Sequence, residues 1–218
     1  MAHRSGTFAI GALLLTLLAG VGPALGLSPA IAAFAVVMGL GFFFFDRIFF
    51  QGRLLTLVAG LVQERQKGWR ERVACHEAGH LLVAHRLGIA VEDYTLGAWQ
   101  TFQRGYPGSG GVVLAVPARL DSDRIEAYCA TWLAGGMAEQ MDYGKSIGAE
   151  EDLQKIQLLL AAAQRSGIAP ARTLRNRAER LARSLLVAEK DLHKKLTQQL
   201  LAGRDIEGCI QLLQAQQA

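Results

Sequence analysis

The sequence predicts a mainly α-helical chain with one small β-hairpin, preceded by an apolar arm that folds as an N-terminal transmembrane helical hairpin. Three observations carry that expectation. No charged residue occurs from Ser5 to Phe45, a run of 41 residues. Apolar residues recur at helical steps through most of the chain from Trp69 onward. Between two such stretches, "VEDYTLGAW" and "GGVVLAVP" change period and are rich in valine, tyrosine, threonine and tryptophan, the composition of strands.

The apolar run comes first. One bilayer crossing takes roughly 20 apolar residues, so the run fits two. The break between them is "GVGPALGLSPA", whose glycines and prolines interrupt any continuous helix. A first span is expected near Thr7–Gly22 and a second near Pro29–Phe50, with Asp46 and Arg47 at the exit. Residues 1–52 then form a membrane anchor, 53–68 a juxtamembrane linker and 69–218 a folded domain. Alternatively the first span is a secretory signal peptide, with "ALG" at 24–26 as cleavage site, which leaves the second span in place.

Basic residues set the orientation. Arg4 precedes the first span, and Arg47, Arg53, Arg65, Lys67, Arg70 and Arg72 follow the second, while the connecting turn carries none. The positive-inside tendency puts both termini and the folded domain on the cytoplasmic side, or its stromal or matrix equivalent. The net charge of +4 suits a bilayer with anionic headgroups, and no interleaving of basic and aromatic residues suggests nucleic acid as a partner. Cys75, Cys129 and Cys209 are odd in number and widely spaced, which gives no disulfide framework on a reducing side.

In the folded domain, Trp69, Val73, His76, His80, Val83 and Leu87 fall at steps of three and four, one face of an amphipathic helix that Gly88 stops. The hairpin follows, its link "QTFQRGYPGS" carrying turn chemistry at Gly105, Pro107 and Gly108. Helix resumes after Asp121 or Ser122 as N-cap and runs through "RIEAYCATWLAGGMAEQM". A loop, "DYGKSIG", leads to the helix "AEEDLQKIQLLLAAAQRSG". Two more helices are expected near Pro170–Ala188 and Glu189–Leu201, and a short last one from about Asp205.

The chemistry concentrates in "ACHEAGHLLVAH", residues 74–85. On a helix His76 and His80 stand one turn apart, separated by about 40° in azimuth, so both imidazoles reach one ion. Glu77 stands beside them, within reach of a water on that ion. This is the H-E-x-x-H arrangement of zinc peptidases: zinc acidifies a water, and the glutamate takes its proton and passes it to the leaving amine. Two histidines and a glutamate on a buried face need partners, which a metal supplies. Cys75 points about 100° away and is expected to pack in the core. His85 lies five residues past His80, outside the site, and is expected to be exposed. A catalytic zinc takes a third protein ligand, and Glu139, Asp142, Glu150, Glu151 and Asp152 are the downstream candidates.

Three blocks in order, "HEAGH", "LAGGMAEQM" and "GAEEDLQKI", resemble the protease domain of the FtsH-type membrane zinc proteases. The resemblance covers roughly Arg70 to the C-terminus, the last 45 residues in helical character only. It implies an α-helical zincin-type protease domain with Asp152 as third zinc ligand beside His76 and His80, and Glu77 as general base. A separate argument favours Asp152: it shares the core-facing side of its helix with Ile156 and Leu159, where a carboxylate needs a cation. Glu150 and Glu151 are the acids that a helix N-terminus favours without a metal. Glu139 is the next candidate ligand, or else an acid that holds a histidine N–H.

FtsH-type enzymes carry an ATPase module between anchor and protease. Here about twenty residues separate Phe50 from the H-E-x-x-H helix, and no G-x-x-x-x-G-K-[ST] occurs; "GKS" at 144–146 is read as loop. The expected activity is a zinc-dependent metalloendopeptidase without its own ATPase. Its expected partners are unfolded or membrane-protein substrates, and either a separate ATPase-bearing subunit or further copies of itself. An extended substrate would add to the hairpin edge around Gly110–Val116. The alternatives are a protease-like scaffold subunit, disfavoured by the intact Glu77, and a site-2-type intramembrane protease, disfavoured by Arg70, Glu71, Arg72 and Arg86 around the motif.

Overall fold

Glycine and alanine let the helices of the folded domain approach closely, as at Gly79 against Ala134 and Ala138. The computed structural model describes Gly20, Gly26, residues 28–117 and residues 120–216. The chain divides after Val58 into two units.

In the first unit, helix α1 spans Pro29–Phe49. Ser28 is its N-cap, the side chain accepting the Ile31 amide at 3.4 Å, and proline sits in the first turn, where its missing N–H costs nothing. The bounds match the expected second span; the expected first span lies outside the described residues except for Gly20. Phe34, Val37, Met38, Phe44, Phe45 and Ile48 are exposed along α1. No single helix among the described residues is long and apolar enough to cross a membrane alone. From Ala33, α1 meets that test only as a bent pair with α2, Arg53–Gln63. The bend falls at Gln51 and Gly52, both at positive φ. The fully buried carboxylate of Asp46 accepts the amides of Leu54 and Leu55 at 2.9 and 3.2 Å, satisfying donors that the start of α2 leaves open.

The second unit carries α3 (Trp69–Arg86), β1 (Val91–Thr95), α4 (Ala98–Gln103), β2 (Gly111–Leu114), α5 (Ser122–Tyr143), α6 (Glu150–Arg165), α7 (Ala171–Ala188), α8 (Lys190–Leu201) and α9 (Ile206–Ala215). Helix α3 is central and packs against α5 and α8; α5 also packs against α6 and α7. Every residue from Ala74 to Ala84 is buried. The expected amphipathic face is therefore corrected: α3 has neighbours all round, and its small residues let them close in. A methyl group on Gly79 would lie 2.8 Å from the Ala134 carbonyl oxygen of α5. Around this centre Leu174, Leu186, Leu196, Leu200 and Leu213 close the core from α7, α8 and α9. Each such burial contributes about 1.5–3 kcal/mol.

The strands form a two-stranded antiparallel sheet, with Tyr94 opposite Val112 and an irregularity between Val91 and Asp93. The expectation of strand through Ala98 and Trp99 is corrected, because the link between the strands opens with the short helix α4. Thr101 turns its hydroxyl to the Gly97 carbonyl at 2.8 Å, and Glu64 accepts the Ala98 amide at 2.6 Å, a donor that the first turn of α4 leaves open. Asp121 caps α5 by accepting the Arg124 amide at 2.8 Å. The last three helices start within two residues of their expected positions.

Candidate metal centre

Two turns of α3 and the first turn of α6 bring four functional side chains together. His76, Glu77, His80 and Asp152 are each about 5–6% exposed. The Nε2 atoms of His76 and His80 both lie 3.1 Å from the same Asp152 oxygen, Oδ2. The three sequence-predicted ligands thus converge on one point, each offering one ligand atom within 4.8 Å of the others.

The far side of each imidazole fixes its tautomer. Nδ1 of His80 donates to the Thr131 carbonyl at 2.7 Å, and Nδ1 of His76 faces Glu139 Oε1 at 2.7 Å. With both Nδ1 atoms protonated, neutral rings turn their Nε2 lone pairs toward a carboxylate oxygen. Three lone-pair donors facing one another repel unless a cation sits among them. The residues therefore fit a divalent ion, with the outer hydrogen bonds that orient metal-bound histidines already made. A proton can stand in for that cation. Burial alone would lower the His76 pKa, but its bonds to Asp152 and Glu139 outweigh burial and hold it up at about 10. Burial would likewise raise Asp152, yet His80, His76 and Lys155 keep it well below the usual carboxylate range. Lys155, one turn on, donates to Oδ1 of Asp152 at 2.9 Å, which leaves Oδ2 as the oxygen aimed at the histidines.

Helix α5 makes room for this. A methyl group on Gly135 would lie 2.4 Å from Nε2 of His76 and 2.6 Å from Cε1 of His80, inside the space an ion needs. Glu77 points from α3 toward the sheet, where its Oε2 accepts the Val112 amide of β2 at 2.8 Å. The general-base candidate is thus anchored on the strand edge next to the converging ligands.

Glu139 is not placed as a ligand. Its carboxylate, 1% exposed, accepts from His76, from Arg72 Nη1 at 2.8 Å, and from the amides of Ile147 and Gly148 at 3.0 and 3.2 Å. Burial would raise its pKa, but these bonds hold it down at about 2. It sits behind His76, the alternative role expected for it. Asp142, Glu150 and Glu151 are exposed and away from the three ligands. Residues 144–146 form a loop, as expected. His85 corrects its expectation of exposure: it is half-buried, and its Nε2 is buried without a hydrogen-bond partner among the described residues.

Arg72, Thr131, Gly135 and Lys155 were missed from sequence. Gly135 had a signal, in the small-residue run "AGGMA"; Thr131 acts through its backbone carbonyl and had none. No family model matches this chain, and no curated protein is significantly similar to it.

Proposed function

We propose that this chain is a membrane-anchored zinc metalloendopeptidase, with His76, His80 and Asp152 as metal ligands and Glu77 as general base. The observation that carries the reading is the shared Asp152 oxygen, 3.1 Å from both imidazoles, on a helix that also presents Glu77. Zinc suits two imidazoles and a carboxylate with one position left open, and it supplies Lewis acidity that makes a water nucleophilic near neutral pH. Glu77, beside these ligands, is the residue that would accept the proton of the attacking water and pass it to the departing amine. The order of the three sequence blocks resembles FtsH-type proteases and supports the same assignment.

Substrate lies extended along β2. The Val112 amide points away from β1 toward Glu77, so strand alternation makes Leu114 the next residue whose amide faces outward. The charge-free stretch from Ser5 to Phe45 and the exposed apolar side chains of α1 hold the chain in a bilayer, with the protease domain on the cytoplasmic side or its equivalent. The proposed substrates are unfolded or membrane-protein segments. The enzyme works alone, as a homo-oligomer, or beside a separate ATPase-bearing subunit.

The test uses full-length protein in detergent and an unfolded protein substrate. Wild type cleaves, a chelator stops cleavage, and added zinc restores it. Glu77→Gln keeps its zinc and loses about 10²–10⁴-fold in rate, the usual contribution of a general base. If wild type and Glu77→Gln are equally inert while both hold zinc, the chain is a scaffold and the enzymatic reading fails.

A further inference from the structure

A second cluster lies about 100° around α3 from His76. Cys75 and His193 are 1% and 4% exposed, and Asp142 reaches them from the exposed end of α5. Cys75 Sγ is 3.6 Å from Asp142 Oδ2, and His193 Nε2 is 2.9 Å from the Cys75 carbonyl oxygen. One ligand atom from each side chain lies within 4.8 Å of the other two. We propose that Cys75, Asp142 and His193 form a second zinc site that ties α8 to the helix carrying the H-E-x-x-H motif.

The donor set and spacing carry the inference. Sulfur, imidazole and carboxylate are the three zinc ligand types, and a tetrahedral ion with bonds of about 2.0–2.3 Å holds its ligand atoms about 3.3–3.8 Å apart. The sulfur–carboxylate distance is already in that range, and the outer limit on the other pairs is about an ångström beyond it. The three residues come from α3, α5 and α8, so one ion would link three helices. Asp142, on the surface, gives the ion its route in and leaves a fourth position to solvent. Binding replaces the Cys75 thiol proton, so one proton is released per ion. A thiolate and a carboxylate then neutralise the charge of the ion inside the fold. The site shares no ligand with the first and does not depend on the proposed activity.

The experiment exploits the sulfur, which the His76–His80–Asp152 site lacks. Full-length protein in detergent is loaded with zinc, and metal content and X-ray absorption are measured; cobalt(II) is then substituted and the thiolate-to-cobalt charge-transfer band recorded. Expected are two ions per chain, a sulfur in the zinc shell and a charge-transfer band. His76→Ala with His80→Ala leaves one ion and keeps the band. Cys75→Ser leaves one ion and abolishes it, and His193→Gln also removes one ion. One zinc with only nitrogen and oxygen neighbours in wild type overturns the proposal without any variant, as does a band that survives Cys75→Ser. A single zinc with sulfur would instead support this site and sink the catalytic reading, so the two failures are separable.

Discussion

Helix α1 leaves Phe34, Val37, Phe44 and Ile48 exposed, whereas α3 buries two histidines and a glutamate. Both invert the ordinary distribution of side chains, in opposite senses. On α1 the mismatch is spread along the helix, and any apolar phase resolves it. On α3 it is local and directional: three lone-pair donors meet at one point and ask for one cation. A solvent-like partner is recognised by composition, a metal by geometry. That difference explains why the two regions differ in how far sequence alone can take them, and it ranks the ways to test them.

The largest expected effect is at Gly135. Alanine normally strengthens a helix interior by about 0.5–1 kcal/mol over glycine. Here its methyl group would sit 2.4 Å from His76 Nε2 and displace the imidazoles. Gly135→Ala is expected to lose the first-site metal altogether while α5 stays helical, read by metal content beside circular dichroism. Retained metal at wild-type affinity would mean the ligands do not converge as described.

On α1, Val37 is 66% exposed near the middle of the helix. In water Val37→Arg would change little, since surface substitutions stay within about 0.5 kcal/mol. At a bilayer centre an arginine costs about 2.5–3.5 kcal/mol, about 70- to 400-fold in insertion. The fraction of full-length protein that resists alkaline extraction from membranes should fall accordingly. An unchanged fraction would remove the bilayer from the account of α1.

Glu139→Ala comes next. It removes the acceptor behind His76 and leaves the Arg72 guanidinium without that carboxylate. Losing such an outer partner typically weakens metal binding 10–100-fold, measurable by competition with a chelating dye. The variant should still bind zinc, unlike Gly135→Ala, because all three ligands remain.

How much of this could be read beforehand depends on the range of the interaction. His76, Glu77 and His80 were legible because helical periodicity fixes their relation over one turn. Asp152, 72 residues past His80, was reached through its core-facing register and the resemblance of its sequence block. Glu139 was narrowed to two roles, and only the fold, which puts it on the Nδ1 side of His76, separates them. Helix α4 misled because "AW" continues a strand-like run and "QTFQ" opens a link with turn chemistry, while its helical state is fixed by Gly97 and by Glu64, more than thirty positions earlier. The central place of α3 was hidden because its polar residues are the site itself, and a pattern of polar and apolar positions cannot tell a buried site from a wet face.

The smallest effect tests whether buried acids in the two regions are satisfied in the same way. Asp46 is fully buried and accepts two backbone amides, from Leu54 and Leu55; Glu139 accepts two as well, from Ile147 and Gly148, but adds Arg72 and His76. Asp46 therefore acts as a cap on the start of α2. Asp46→Ala should cost about 1 kcal/mol, the usual value of an N-cap, and raise hydrogen exchange at the first amides of α2. Metal content and peptide cleavage should not move, because no ligand or base depends on that turn. A loss of metal on Asp46→Ala would show that the start of α2 sets the geometry of the site, and the contrast drawn between α1 and α3 would fall.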